Sequence, residues 1–144
     1  MTASSSQKLP YSRIALAGLI AIVASIIANV LIWWLGGLIF DIPADFMALM
    51  GPGPAILFTT VLLIGATLVY AIINALSSNP PRLFTYVSII AFVLLLIPDI
   101  VLLISPQSMP MGTTTVPAVL VLIAMHVAAY AITLWVFTRW APRR

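Results

Sequence analysis

The chain has 144 residues, of which 63% are hydrophobic and 6% charged, and its net charge is +3. A soluble domain carries about a quarter charged residues, so this composition excludes an ordinary soluble globule, a disordered segment and a basic domain that binds nucleic acid. It leaves an integral membrane protein, whose first partner is the lipid bilayer. With no cysteine, disulfide, thiolate-metal and thiol chemistry are excluded as well.

In chain order, residues 1–12 are polar and rich in serine and read as a mobile tail. Residues 13–141 then form a single membrane domain with spans at 14–40, 55–76, 83–104 and 116–140, and residues 142–144 make a short basic tail. Each span reaches the roughly 20 apolar residues that a crossing helix needs. The first run is about 27 residues long, against about 7–15 for the core of a signal peptide, and reads as a retained helix. The breaks are sharp: Gly51-Pro52-Gly53-Pro54 before span two, Ser77 to Pro81 before span three, and Ser105-Pro106 with the polar run to Thr115 before span four. Proline and glycine clusters of this kind mark turns. Backbone in hydrocarbon must satisfy its own hydrogen bonds, so the spans are helices. The predicted fold is an all-α, four-helix membrane bundle.

The six basic residues set its orientation. Lys8 and Arg13 precede span one, Arg82 separates spans two and three, and Arg139, Arg143 and Arg144 end span four. With four spans all six fall on one side, and Asp41 and Asp45 on the other. The positive-inside rule places both termini in the cytoplasm. Tyr11, Tyr86, Trp135 and Trp140 fit an aromatic belt on the inner side, and Trp33 and Trp34 lie toward the outer side. In the outer connection, Asp41 is placed to cap a short helix with Pro43 in its first turn and Gly51 at its end. Phe46, Met47, Leu49 and Met50 would lay that helix on the membrane surface; the plainer reading, which carries more weight, is a compact outer connection with no binding role.

Ionisable residues inside spans are costly and mark function by default. Asp99 in span three follows Pro98, and proline bends a helix and frees a carbonyl one turn back. His126 lies in span four and Asn29 in span one. At 1.5 Å per residue all three stand roughly 20–25 Å from the basic boundary, and Thr59 and Thr60 of span two enter the same layer from outside. Asp99, His126, Asn29 and Thr59 are therefore the candidate site. His126 is expected to share a proton with Asp99, with Asn29 and Thr59 satisfying the remaining lone pairs. Such a cluster can hold a proton, a cation or a polar ligand, or simply clamp helices together. Asn74 is expected at the inner interface.

Small residues at four-residue spacing, Ala17, Ala21 and Ser25 leading to Asn29, and Ala124 with Ala128 near His126, predict close helix packing within the chain or, more sharply, a dimer face. Met47 with Met50 and Met109 with Met111 put thioethers on the outer side, where they could take copper(I), although methionine more often fills gaps in packing. A lone histidine gives haem or chlorophyll a single axial ligand. No metal site and no cofactor is expected from this set. No nucleophile with its base, phosphate loop or metalloprotease motif is present, so the chain is expected not to be an enzyme.

Pro98-Asp99 near the outer end of span three, followed by Met125-His126-Val127-Ala128-Ala129 in span four, resembles a family of small four-span bacterial membrane proteins of uncharacterised function. The resemblance covers most of the chain. It implies a bacterial inner-membrane protein and carries over Asp99 and His126, but not the methionine pairs. It brings no activity. The first expectation is thus a structural or accessory subunit, in a homo-oligomer or a larger membrane complex. The alternative is an oligomeric proton- or cation-linked carrier or a small-ligand sensor that uses Asp99 and His126.

Overall fold

The computed structural model describes residues 8–106 and 108–142. Among them, four long helices follow in chain order: α1 Tyr11–Ile39, α2 Pro52–Leu76, α3 Pro80–Ile104 and α4 Val116–Trp135, the last continuing into a π-helical turn, Val136–Trp140. α1 has 29 residues, and α2, α3 and α4 with its π turn have 25 each. At about 1.5 Å per residue they are all longer than the roughly 30 Å hydrocarbon core. All four are long and apolar enough to cross a membrane. Their outward faces carry exposed large apolar side chains, among them Leu57, Leu68, Ile90 and Leu94, as expected of helices solvated by lipid.

The residues at the helix starts explain the boundaries. Pro52 and Pro54 occupy the first turn of α2, and Pro80 and Pro81 that of α3. Proline lacks the N–H that a first turn leaves unpaired anyway, and its φ suits the helix. The Asn79 side chain accepts the Arg82 N–H, and the Thr115 hydroxyl accepts the Ala118 N–H at the start of α4. Such caps satisfy donors that the helix itself cannot. Up-and-down connectivity brings Lys8, Arg13, Arg82 and Arg139 to one end of the bundle, the basic end, and Asp41 and Asp45 to the other. Arg143 and Arg144 lie outside the described residues.

α1 is the central helix, packed closely on α2 and α4; α3 leans on α4 and touches α2 only sparsely. The predicted ridge on α1 is the packing face: Ala17, Ala21 and Ser25 are fully buried and Asn29 nearly so. The ridge proposed for span four is not. Ala124 is exposed and Ala128 half-buried, whereas Ala118, Val121, Met125 and Thr133 face inward. Small size at helical spacing permits close approach but does not impose it, and in an apolar helix a lipid-facing alanine looks the same as a packed one.

Both ends are tied more tightly than the sequence predicts. From Lys8 onward the expected mobile tail is pinned: the Asn74 side chain exchanges two hydrogen bonds with the Leu9 backbone, both 3.1 Å, and the Lys8 ammonium reaches the Ala75 carbonyl. The earlier tail residues lie outside the described set. Asn74 is 3% exposed and lies two residues before the end of α2, so it is a buried tie at the basic end of the bundle. Arg13 donates to the Ala141 carbonyl at 2.7 Å and sits over the Trp140 ring, joining the two termini of the domain. Above them Tyr70, Phe84 and Phe137 meet with ring centroids 4.7–5.2 Å apart. The π turn, closed by the Ala141 N–H on the Val136 carbonyl at 2.8 Å, leaves Phe137 fully buried in that cluster.

At the opposite end the predicted surface helix after Asp41 is absent. Residues 41–51 make successive turns, with Phe46 on the Pro43 carbonyl and Leu49 on the Phe46 carbonyl. Phe46 and Leu49 are buried, plugging the bundle rather than lying on a membrane surface. The Trp33 indole donates to the Leu49 carbonyl at 2.8 Å. This connection docks on the one between α3 and α4: Met47 N–H meets the Met111 carbonyl, and the Asp45 carboxylate accepts both the N–H and the hydroxyl of Thr113. Gly112, at φ 85°, passes so close that an added Cβ would overlap the Asp45 carbonyl.

The Thr113 backbone bond, then its hydroxyl, hold the Asp45 carboxyl below its ordinary value of 3.8. A depressed carboxylate contributes stability above its ordinary value and loses it as pH falls through the lowered one. Deuterium exchange at 41–50 and 108–114 is therefore expected to quicken as pH falls from neutral to about 2, after correction for intrinsic rates, while the helices stay protected. Asp45→Asn should show the faster exchange already at neutral pH; identical protection in that variant would show that the carboxylate is not the tie.

Candidate functional site

The site is built where the four helices present polar side chains in one layer. Asp99 lies five residues before the end of α3, on the face that recurs every three to four residues from Phe84. Its Oδ2 is 2.7 Å from Nδ1 of His126 on α4. The Asp99 side chain is 3% exposed and that of His126 21%. Asn29 of α1 donates through Nδ2 to the Thr59 hydroxyl of α2 at 2.9 Å. Each hairpin thus contributes one interhelical pair, α1 with α2 and α3 with α4.

All four predicted residues come together, but not in the predicted network. Asn29 and Thr59 bind each other and do not satisfy the lone pairs of Asp99. Among the described residues Asp99 Oδ1 and His126 Nε2 have no hydrogen-bond partner, and neither has Asn29 Oδ1, a buried atom. Thr60 lies outside the cluster and bonds back to the Ile56 carbonyl of its own helix. A buried amide oxygen left unpaired costs about 1–3 kcal/mol, which makes Asn29 notable.

Between the two pairs is a cavity of about 570 Å³. Asn29, Thr59, Asp99 and His126 all line it near one end, with Pro98 beside Asp99. From there it follows α3 down to Phe84, about 20 Å at the helical rise. α4 forms its back wall through Met125, His126, Ala129, Tyr130 and Thr133. Ala48, Pro54 and Met111 close the end remote from the basic residues, and the aromatic cluster at Phe84 closes the other. The remaining side lies between α2 and α3, where Phe58 and Leu62 on one helix and Ala91 and Pro98 on the other line the cavity and are exposed. Since both helices cross the membrane, that side faces lipid.

Several contributors escape a reading of charged residues alone. Tyr130, one turn below His126, stacks on Phe92 of α3 with ring centroids 4.3 Å apart and holds α3 against α4. Thr133 is buried with its hydroxyl unpartnered and lines the cavity. Its signal was present, since His126, Ala129, Tyr130 and Thr133 follow one another at three- and four-residue spacing on one face. Ser25 and Tyr70 also carry buried unpartnered hydroxyls but do not line the cavity.

Neither methionine pair joins this layer as a pair. Met111 closes the cavity, and with Met109 it packs on the apolar cluster at that end, while Met47 and Met50 are exposed. No group of three or more histidine, cysteine, aspartate or glutamate side chains able to hold a metal occurs among the described residues. Comparison of the chain with family models, with curated proteins and with solved structures finds no match.

Proposed function

We propose that this multi-pass membrane protein is a non-enzymatic binding protein, a carrier or sensor, whose site is the Asp99–His126 pair and the cavity beside it. One observation carries the reading: a buried carboxylate, hydrogen-bonded to the only histidine, borders a cavity within the 300–1,000 Å³ range of small-ligand sites. A pair that served only to clamp helices gains nothing from a neighbouring void, because side chains around an empty space lose dispersion contacts. The structural or accessory reading is supported instead by the interhelical bonds themselves, and in it the protein works inside a homo-oligomer or larger complex. The grouping of Lys8, Arg13, Arg82 and Arg139 at one end supports cytoplasmic termini, and the resemblance at Pro98-Asp99 and around His126 supports a bacterial inner membrane.

The test is an experimental structure of the full chain in lipid nanodiscs, with density examined beside Asp99. The binding reading expects an ordered non-protein species within hydrogen-bond reach of Asp99 or Asn29. A dry pair with α2 and α3 packed together over it would overturn that reading and leave the accessory one.

A further inference from the structure

Resting on that binding reading, the shape and polarity of the cavity define the class of ligand. We infer that the site takes a single-chain amphiphile with a protonated amine head, the head at Asp99 and Asn29 and the tail along α3 toward Phe84.

The head follows from hydrogen-bonding capacity. At the polar end Asp99 Oδ1 and Asn29 Oδ1 are acceptors without donors, and the Asn29 amide nitrogen is already committed to Thr59. A carboxylate only accepts when ionised. No lysine or arginine lines the cavity, so nothing there but His126 offsets the charge of Asp99. An ammonium donates three hydrogen bonds and carries the compensating charge. A hydroxyl donates one and carries none, and a carboxylate or phosphate head would stand against Asp99 with no cation to receive it. Charge-assisted hydrogen bonds are also about twice as strong as neutral ones.

The tail follows from the walls. Below the polar layer the lining is apolar but for Ser88, Thr133 and the Tyr130 ring, and it extends about 20 Å along α3. Its free side lies between α2 and α3 within the thickness of the membrane, so a molecule already dissolved in the bilayer reaches it sideways. A small hydrated cation would have to shed its water and cross lipid to arrive by that route, at high cost. An amphiphile leaves its tail in an apolar medium throughout.

The experiment measures saturable binding of dodecylamine, dodecanol, dodecanoate and butylamine to the full chain in zwitterionic nanodiscs, against empty nanodiscs, with thermal unfolding as a second readout. Dodecylamine is expected to bind about tenfold or more tightly than dodecanol, a difference of about 1.4 kcal/mol, and to raise the unfolding temperature. Asp99→Asn should remove that preference while leaving a folded protein. Ala91→Trp, which fills the cavity from α3 without touching the polar layer, should remove binding altogether. Equal affinity for dodecylamine and dodecanol, or unchanged preference in Asp99→Asn, would overturn the amine head and leave a binding site for another amphiphile. Equal affinity for butylamine would overturn the need for a tail. If none of the four binds saturably, or binding persists unchanged in Ala91→Trp, this inference falls, while the binding reading beneath it is decided separately by the density beside Asp99.

Discussion

Asp99→Ala is expected to destabilise the bundle by about 2 kcal/mol, more than any other single polar truncation in the membrane-spanning region. Two magnitudes bracket that figure. Hydrogen bonds between helices in membranes average about 0.6 kcal/mol, because the unfolded chain in lipid also finds partners. Leaving a buried polar group without its partner costs about 1–3 kcal/mol, and more where the group is charged. His126 keeps a fifth of its side chain accessible and borders the cavity, so its loss of Asp99 is partly relieved and the cost stays below the upper end of that interval. Asp99→Asn retains an oxygen at the same place to accept an N–H from His126 Nδ1, and should cost less than about 1 kcal/mol. Reversible unfolding in bicelles separates the two variants. Equal losses would mean that the carboxylate's charge, which both variants remove, carries the pair and that a neutral acceptor does not replace it, and a loss below about 0.6 kcal/mol for Asp99→Ala would show that it does not hold α3 to α4.

The other large effect is steric. At Gly18 an added Cβ would stand 2.5 Å from the Thr67 hydroxyl and 3.1 Å from Thr67 Cβ. That hydroxyl is held by a 2.7 Å bond to the Leu63 carbonyl, and Cβ cannot move without its backbone. Gly18→Ala must therefore break the Thr67 bond or separate α1 from α2. Overpacking of this kind costs about 1–3 kcal/mol, and Gly18→Leu should exceed it. Gly36 meets Val121 of α4 in the same way, its Cβ falling 2.8 Å from a valine methyl. About 27 Å of helix separates the two glycines, so their alanine variants should add within about 0.5 kcal/mol. Gly37 and Gly65 supply the contrast, with nothing within 4 Å of an added Cβ. Alanine there should stabilise by up to about 1 kcal/mol through helix propensity alone. If all four substitutions behave alike, the close contacts of α1 do not set the packing.

Much of the site was legible before any tertiary structure, and the reason lies in depth. A helix rises uniformly, so distance from a basic anchor places Asn29, Asp99 and His126 in one layer once the spans are known. Depth does not say which groups bond. The structure pairs Asn29 with Thr59 and leaves Asp99 to His126 alone. The π turn at Val136 was not legible, since nothing in the residues 136–140 marks a widened turn; its setting is Phe137 packed against Tyr70 and Phe84. The outer connection had the capping and apolar residues of a short helix. Burial of Phe46 and Leu49 and the ties from Asp45 and Met47 to the facing connection accompany a chain of turns instead.

Local chemistry already dictated the four helices, their C-terminal ends to within a residue and the gathering of basic residues at one end, whereas α1, α2 and α3 each start three residues before the expected span, with Pro52, Pro54, Pro80 and Pro81 inside the first turns and not in the breaks. Each legible feature depends on local chemistry: an apolar run must satisfy its own backbone, and alternation of direction follows from the number of spans. How far each helix is turned about its axis was left to the tertiary structure. Apolar periodicity reports rotation only when one face meets water and the other a core, and here both faces are apolar, one against lipid and the other against protein. That is why Ala17 and Ala21 pack while Ala124 faces out. It is also why the gap between α2 and α3, and with it the cavity beside Asp99, came into view only with the assembled bundle.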